Sequence, residues 1–160
     1  MVLGNGKIEE SMRTIKFRGK RVNNGEWGYG DYHRRAGGVH CIIAMEPDEQ
    51  GKVCYVVNQV DPKTVGQFTG LLDKNGDEIY EGDVLQRIPN EQYSDATGIP
   101  LDMLREDIGE GGDMVFVRYD ESQARVMYYS LIDRFNSPWL NTKYFTVIGN
   151  IHDNPELLKK

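Results

Sequence analysis

Corners rich in asparagine and glycine divide this sequence into short segments, and no segment has the length and period of a long helix. The clearest corner is Asp73-Lys74-Asn75-Gly76-Asp77, which has an Asn-Gly pair at its centre. Asn and Gly tolerate the positive φ angles that tight hairpin turns require. The segment Ile15-Lys16-Phe17-Arg18 alternates apolar and basic residues with the two-residue period of a half-buried strand. The sequence therefore predicts a mostly β protein.

Three hairpins are expected along the chain. They pair residues 15–18 with 27–29, residues 39–45 with 52–59, and residues 114–119 with 124–129. Helical turns are expected at Pro62 and after Asn154, where Asn would act as the N-cap and Pro155 would take the first position. These elements predict a small, strongly bent antiparallel barrel, with an SH3-like barrel as one option. An N-terminal hairpin sheet and a few short helical turns complete the prediction.

Length and composition predict one domain. A chain of 160 residues with 39% hydrophobic residues can bury a core of its own. Residues 1–11 contain no apolar stretch and precede a second methionine, so we expect a poorly ordered N-terminal extension followed by a single domain at 12–160. Residues 89–113 are acidic and show little β periodicity, which predicts an insertion with at most two helical turns.

Charge and cysteine usage narrow the function classes. The net charge of −6 does not suit non-specific DNA binding, which needs many phosphate contacts from Lys and Arg. No apolar run is long enough to cross a membrane and residues 1–11 are not a signal peptide, so we expect a cytoplasmic protein without membrane association.

Cys41 and Cys54 stand beside apolar residues and are expected to be buried free thiols, with a disulfide between neighbouring strands as the alternative.

Four sequence motifs are more specific indicators of a protein family than the overall composition. They are Met12-Arg13-Thr14-Ile15-Lys16-Phe17-Arg18-Gly19, then Val65-Gly66-Gln67-Phe68-Thr69-Gly70-Leu71 with Asp73-Lys74-Asn75-Gly76, then Glu78-Ile79-Tyr80-Glu81-Gly82-Asp83-Val84, and finally Val147 to Leu158. In this order they resemble the YopX family of phage and prophage proteins. The resemblance covers Met12 to Leu158 and is weakest across residues 89–113. It implies a phage-related, oligomeric protein of bacterial cytoplasm, and it supplies no catalytic residue to carry over.

The strongest candidate site is a basic and aromatic cluster in the first hairpin and its loop. Its members are Lys16, Arg18, Lys20, Trp27, Tyr29, Tyr32, Arg34 and Arg35. Aromatic platforms with cationic rims hold single-stranded nucleic acid on small β proteins. The alternative interpretation is that the aromatic residues belong to the core or to a strand edge, and that the alternating lysines protect that edge from aggregation. From this cluster we single out Lys16, Arg18, Trp27, Tyr29, Arg34 and Arg35 as candidate nucleic-acid or partner contacts.

Catalytic and metal-binding patterns are weak. Glu78, Glu81 and Asp83 cluster near a turn and could form a carboxylate site, but turn residues of this kind commonly bond backbone amides. Asp31, His33 and His40 could bring three metal ligands together only if their loop folded back. We therefore predict no catalytic residue, no metal and no cofactor.

The leading hypothesis is a non-enzymatic protein-binding or assembly module. We expect it to form a homo-oligomer and to bind a protein partner whose identity the sequence does not give. Single-stranded nucleic-acid binding through the basic and aromatic hairpin is the first alternative. An enzyme with a carboxylate site is the second.

Overall fold

The computed structural model describes residues 14–87, 98, 113–131, 136–138 and 140–159. Eleven strands lie in these ranges: β1 Phe17–Lys20, β2 Trp27–Arg34, β3 His40–Pro47, β4 Val53–Gln59, β5 Gly66–Leu72, β6 Glu78–Tyr80, β7 Asp83–Arg87, β8 Asp113–Asp120, β9 Arg125–Ser130, β10 Asn136–Ser137 and β11 Phe145–Asn150. Short 3-10 turns occur at Ala36–Gly38, Pro62–Thr64, Thr142–Tyr144 and Pro155–Leu158. The predicted mostly β class is confirmed.

The strands form two antiparallel sheets. The first has six strands in the order β4-β3-β2-β1-β5-β6, and the second has five in the order β10-β9-β8-β7-β11. The three predicted hairpins are confirmed as β1–β2, β3–β4 and β8–β9. A closed barrel, SH3-like or otherwise, is not found among the described residues. The first sheet curls so that Arg21 bridges Val60, but this single bridge leaves the sheet open.

The bend of the first sheet depends on Gly30. This residue is the last of β2 to pair with β1, and Asp31 is the first to pair with β3. A Cβ atom at Gly30 would lie 2.1 Å from the carbonyl oxygen of Ile43, and the backbone φ is +152°. Only glycine fits this close approach without moving the neighbouring strand. The second half of β2 can therefore turn away from β1 and pair with β3, which in turn pairs with β4.

A hydrophobic cluster joins the two sheets. Its buried members are Ile79, Leu85, Val115, Val117, Tyr128 and Phe145. Ile79 comes from β6 of the first sheet, whereas the others belong to the second. The burial of Ile79 among them makes β6 the strand that anchors one sheet on the other.

The predicted Asn-Gly corner is confirmed and is attached to the second sheet. One carboxylate oxygen of Asp73 accepts hydrogen bonds from the backbone N–H groups of Asn75 and Asp77, at 2.7 and 3.0 Å. The other oxygen accepts the N–H of Val147 in β11 at 3.0 Å. The buried Asp73 side chain therefore closes its own turn and also satisfies the edge of a strand in the other sheet.

Other predictions have mixed outcomes. The turn after Asn154 is confirmed as a 3-10 turn, with Asn154 at the N-cap position and Pro155 in the first turn, but the Asn154 side chain makes no capping hydrogen bond; its oxygen accepts the N–H of Asn150 instead. Both cysteines are free; Cys41 is buried and Cys54 is half-buried. The predicted extension at 1–11 lies outside the described residues, as does the predicted insertion at 89–113 apart from residues 98 and 113. In the part of the chain that is described, no helix has the length and apolarity needed to span a bilayer.

Candidate interaction surfaces

The β1–β2 hairpin brings part of the predicted basic and aromatic cluster together. Arg18 pairs with Tyr29 and Lys20 pairs with Trp27 across the two strands. The guanidinium carbon of Arg18 lies 4.6 Å from the ring centroid of Trp27, and the ammonium of Lys16 lies 5.7 Å from that of Tyr29. Both contacts have the geometry of cation–π interactions. We call this group of residues 16, 18, 20, 27 and 29 the hairpin cluster.

Arg34 and Arg35 lie outside the hairpin cluster. Arg34 ends β2, where it pairs with His40, and Arg35 follows it in the next loop. Both are exposed. Arg34 is separated from Trp27 by a path of about 23 Å along the strand, at roughly 3.3 Å per residue. The six candidate residues therefore fall into two separate groups.

Each cation of the hairpin cluster meets a carboxylate from elsewhere in the chain. Arg18 pairs with Asp83 at 2.5 Å in the protein interior, and Lys16 pairs with Glu78 at 2.6 Å. Lys20 pairs with Asp153. The positive charge that suggested an anion-binding surface is thus balanced within the protein.

The Arg18–Asp83 pair is the most deeply buried of these contacts. Asp83 also accepts the backbone N–H of Tyr80 at 2.7 Å, and the guanidinium of Arg18 donates to the carbonyl oxygen of Glu81 at 3.3 Å. Burial raises the pKa of Asp83, although the charge of Arg18 and these hydrogen bonds oppose the rise. Removing one partner would leave the other charge buried without compensation.

Glu78 is held by two donors on one oxygen. Both the Lys16 ammonium and the Tyr80 hydroxyl donate to its Oε2 at 2.6 Å. Burial favours the neutral acid, but these two hydrogen bonds outweigh it and lower the pKa of Glu78. The Tyr80 ring is buried and packs edge-on against Tyr29 at 5.7 Å.

Asp153 contacts the hairpin cluster at Lys20 and Trp27. It accepts hydrogen bonds from the Trp27 indole and from the Asn150 amide, each at 2.8 Å, in addition to its contact with Lys20. Burial raises the pKa of Asp153, but the three donors outweigh it and lower the value to about 2. The sequence did not single out Asp153 or Asn150; the only sequence signal was their place in the last block of the YopX resemblance.

The carboxylates of the predicted carboxylate site have separate partners. Glu81 is bonded to Gln67 of β5, through its own N–H at 3.0 Å and through its side chain at 3.1 Å. Burial raises the pKa of Glu81. The following residue, Gly82, donates to Val117 of β8 at 2.8 Å and accepts from Ile151 at 2.9 Å. The stretch 81–83 is therefore a structural junction between the sheets.

The residues of the predicted metal site lie around the β2–β3 pairing. Tyr32 and His40 are 2.5 Å apart, between the phenol oxygen and the imidazole Nδ1, and their rings are stacked. His33 is exposed opposite Cys41. Within the described ranges, no three residues of the His, Cys, Asp or Glu types are grouped so that they could hold a metal ion.

A second surface lies on the β3–β4 hairpin, at the free end of the first sheet. Met45, Val53, Tyr55 and Val57 have 66%, 57%, 75% and 44% of their surface exposed. Met45 pairs directly with Tyr55, so their side chains share one face of the hairpin. Val53, Tyr55 and Val57 alternate along β4 and therefore lie on this same face. We call these four residues the hairpin face.

These features define a mostly β protein whose described strands form two open antiparallel sheets joined by a short junction. The chain belongs to the YopX family, whose model, described as YopX protein, matches residues 16–159. Comparison with curated proteins finds no match. Among solved structures, protein EF1440 from Enterococcus faecalis is similar, with 22% sequence identity and a TM-score of 0.51. The match covers 92% of this chain and 100% of that one, and it supports a shared fold.

Proposed function

We propose that the protein is a non-enzymatic assembly module of phage or prophage origin, acting in the bacterial cytoplasm, and that it pairs with a second copy of itself along β4. Membership of the YopX family supports the phage origin. The single observation that carries the assembly role is the hairpin face beside the outer edge of β4. An exposed apolar edge strand of this kind readily pairs with another chain.

The backbone of β4 has free groups on its outer side. Val60 donates its N–H to the carbonyl of His40 at 2.9 Å, so the even-numbered residues of β4 turn their backbone groups toward β3. The odd-numbered residues turn theirs outward, and Gln59 uses its carbonyl to accept from Val22 at 2.9 Å. No described strand pairs with the outer edge from Val53 to Val57.

A second copy matches this free edge in length and chemistry. Antiparallel pairing about a two-fold axis at Tyr55 sets Val53 opposite Val57 of the other copy, and Tyr55 opposite its own equivalent. All outward N–H and C=O groups of this stretch then find partners, and the two hairpin faces become continuous.

Disulfide trapping tests this register. In a Cys54→Ser background, Tyr55→Cys would place two thiols at the two-fold axis, where Cα atoms about 5.5 Å apart suit a disulfide. Met45→Cys is the matched control, because Met45 is similarly exposed on the same face but lies one strand further from the axis. We expect a covalent dimer from Tyr55→Cys and little from Met45→Cys under mild oxidation. Equal trapping of both variants, or of neither, would contradict the register.

Proline substitution tests the pairing itself. Tyr55→Pro removes an N–H that no described residue of the same chain accepts, whereas Val56→Pro removes one that bonds to β3. We expect Tyr55→Pro to stay folded and to reduce the mass measured by light scattering to that of an 18.3 kDa monomer. Val56→Pro should instead lower the melting temperature. A wild-type protein that is monomeric at high micromolar concentration would overturn the proposed assembly.

A further inference from the structure

A groove of about 390 Å3 lies where the two sheets meet the C-terminal turn, on elements other than β3 and β4. Three basic side chains line it, each from a different element: Lys63 from the Pro62–Thr64 turn, Arg118 from β8 and His152 from the turn after β11. Val65, Phe116, Ile151 and Leu158 supply apolar wall between them. A cationic rim over apolar walls is the composition of a site for an anion that carries a hydrophobic body.

The charges of this groove differ from those of the hairpin cluster. Lys16, Arg18 and Lys20 each have a carboxylate partner. Lys63 and Arg118, in contrast, form no ion pair with any residue that the structure describes, although the protein carries a net charge of −6. Two cations without an ion pair beside one groove favour the binding of an anion over that of a cation there.

Three further titratable groups line the groove: His152, Glu81 and Tyr119. Burial lowers the pKa of His152, and the charges of Arg18 and Lys20 lower it further, so near neutral pH its ring offers a hydrogen bond and no charge. The Glu81 carboxylate, the one acidic group on the wall, accepts the N–H of Gln67 at 3.1 Å. The net charge of the lining therefore remains positive.

We propose that this groove binds a small organic anion, with a carboxylate or phosphate group held by Lys63 and Arg118 and an apolar body packed against Phe116 and Ile151. The site is independent of the proposed self-assembly, because none of its residues belongs to β4. Bidentate hydrogen bonding from the Arg118 guanidinium suits either anionic group.

Calorimetric titration with matched small molecules tests the ligand class. Hexanoate and hexyl phosphate carry both features, hexanol lacks the charge, and inorganic phosphate lacks the apolar body. We expect at least one of the two amphiphilic anions to bind at least 10-fold more tightly than both hexanol and inorganic phosphate, and to weaken as salt is raised. Equal affinity for hexanol would overturn the charge requirement, and no heat from either amphiphile at millimolar concentration would overturn the site.

Substitutions then locate the binding. Lys63→Met and Arg118→Gln change exposed side chains, so the fold should persist, which circular dichroism would verify. Each should weaken the binding of the better amphiphile at least 5-fold. Arg34→Gln is the matched control, since Arg34 is also exposed but lies in β2 away from the groove, and it should leave the affinity unchanged. Loss of affinity in the control alone, or in none of the variants, would contradict the assignment.

Discussion

The guanidinium of Arg18 in β1 lies 2.5 Å from a carboxylate oxygen of Asp83 in β7, and so connects the two sheets through their interior. Asp83→Ala would leave the charge of Arg18 buried without a carboxylate partner, which typically costs about 3–5 kcal/mol of unfolding free energy. Urea denaturation would measure the loss. The control is Lys16→Met, which breaks a partly exposed pair and should cost less than about 1 kcal/mol. Similar losses in the two variants would contradict the structural role of the buried pair.

Acid should weaken the attachment of the C-terminal turn. The folded-state pKa of Asp153 is about 2, below the usual 3.8, so its stabilising contribution is complete above about pH 4 and disappears as the pH falls toward 2. After allowance for the exposure of this side chain, we expect a contribution of about 1 kcal/mol. Asp153→Asn should reduce the difference in unfolding free energy between pH 5 and pH 2 by that amount. An unchanged pH dependence would show that the Trp27 and Lys20 contacts do not stabilise the fold.

Gly30 and Gly51 offer a matched pair of substitutions. Both have positive φ, but a Cβ at Gly51 meets nothing within 4 Å, whereas one at Gly30 meets the Ile43 carbonyl. Gly51→Ala should cost about 1 kcal/mol for its backbone conformation alone. Gly30→Ala should cost at least about 3 kcal/mol, since strand β3 must also move. Thermal unfolding would rank the two variants, and an equal cost would show that the first sheet accommodates the clash.

The nucleic-acid hypothesis makes a different prediction about the hairpin cluster. Because carboxylates already occupy Lys16 and Lys20, we expect single-stranded DNA to bind the wild-type protein more weakly than about 100 μM at physiological salt. Glu78→Gln with Asp153→Asn would free both cations and should strengthen any binding, which fluorescence anisotropy can follow. Tight, salt-sensitive binding by the wild-type protein, lost on Trp27→Ala, would instead favour the nucleic-acid interpretation.

Local signals predicted the elements of this fold well. The Asn75-Gly76 corner and the alternation in Val53-Cys54-Tyr55 depend on neighbouring residues, and both confirmed elements form where the sequence indicated. The division into two open sheets depends on contacts between distant residues, such as Arg18 with Asp83 and Gly82 with Val117. Sequence periodicity does not contain information about such long-range contacts. For that reason the sequence predicted a single barrel.

The candidate site shows the same limit. Lys16, Arg18, Trp27 and Tyr29 were expected to lie together, and register across one hairpin brings them together. The carboxylate partners of Lys16, Arg18 and Lys20 lie 62 to 133 residues away along the chain; they are Glu78, Asp83 and Asp153, respectively. The local sequence therefore predicted a cationic surface at the hairpin cluster, although each of its cations is paired with a carboxylate in the folded protein.

The junction at 81–83 also bears on how the molecule comes apart. Only Glu81 and Gly82 separate β6, the last strand of the first sheet, from β7 of the second sheet. Glu81 is hydrogen-bonded to β5 of the first sheet, and Gly82 is hydrogen-bonded to β8 of the second. A connection this short does not allow one sheet to unfold while the other stays folded. Heating should therefore give a single cooperative transition, and a pulling force applied to β1 should reach β11 without an intermediate extension.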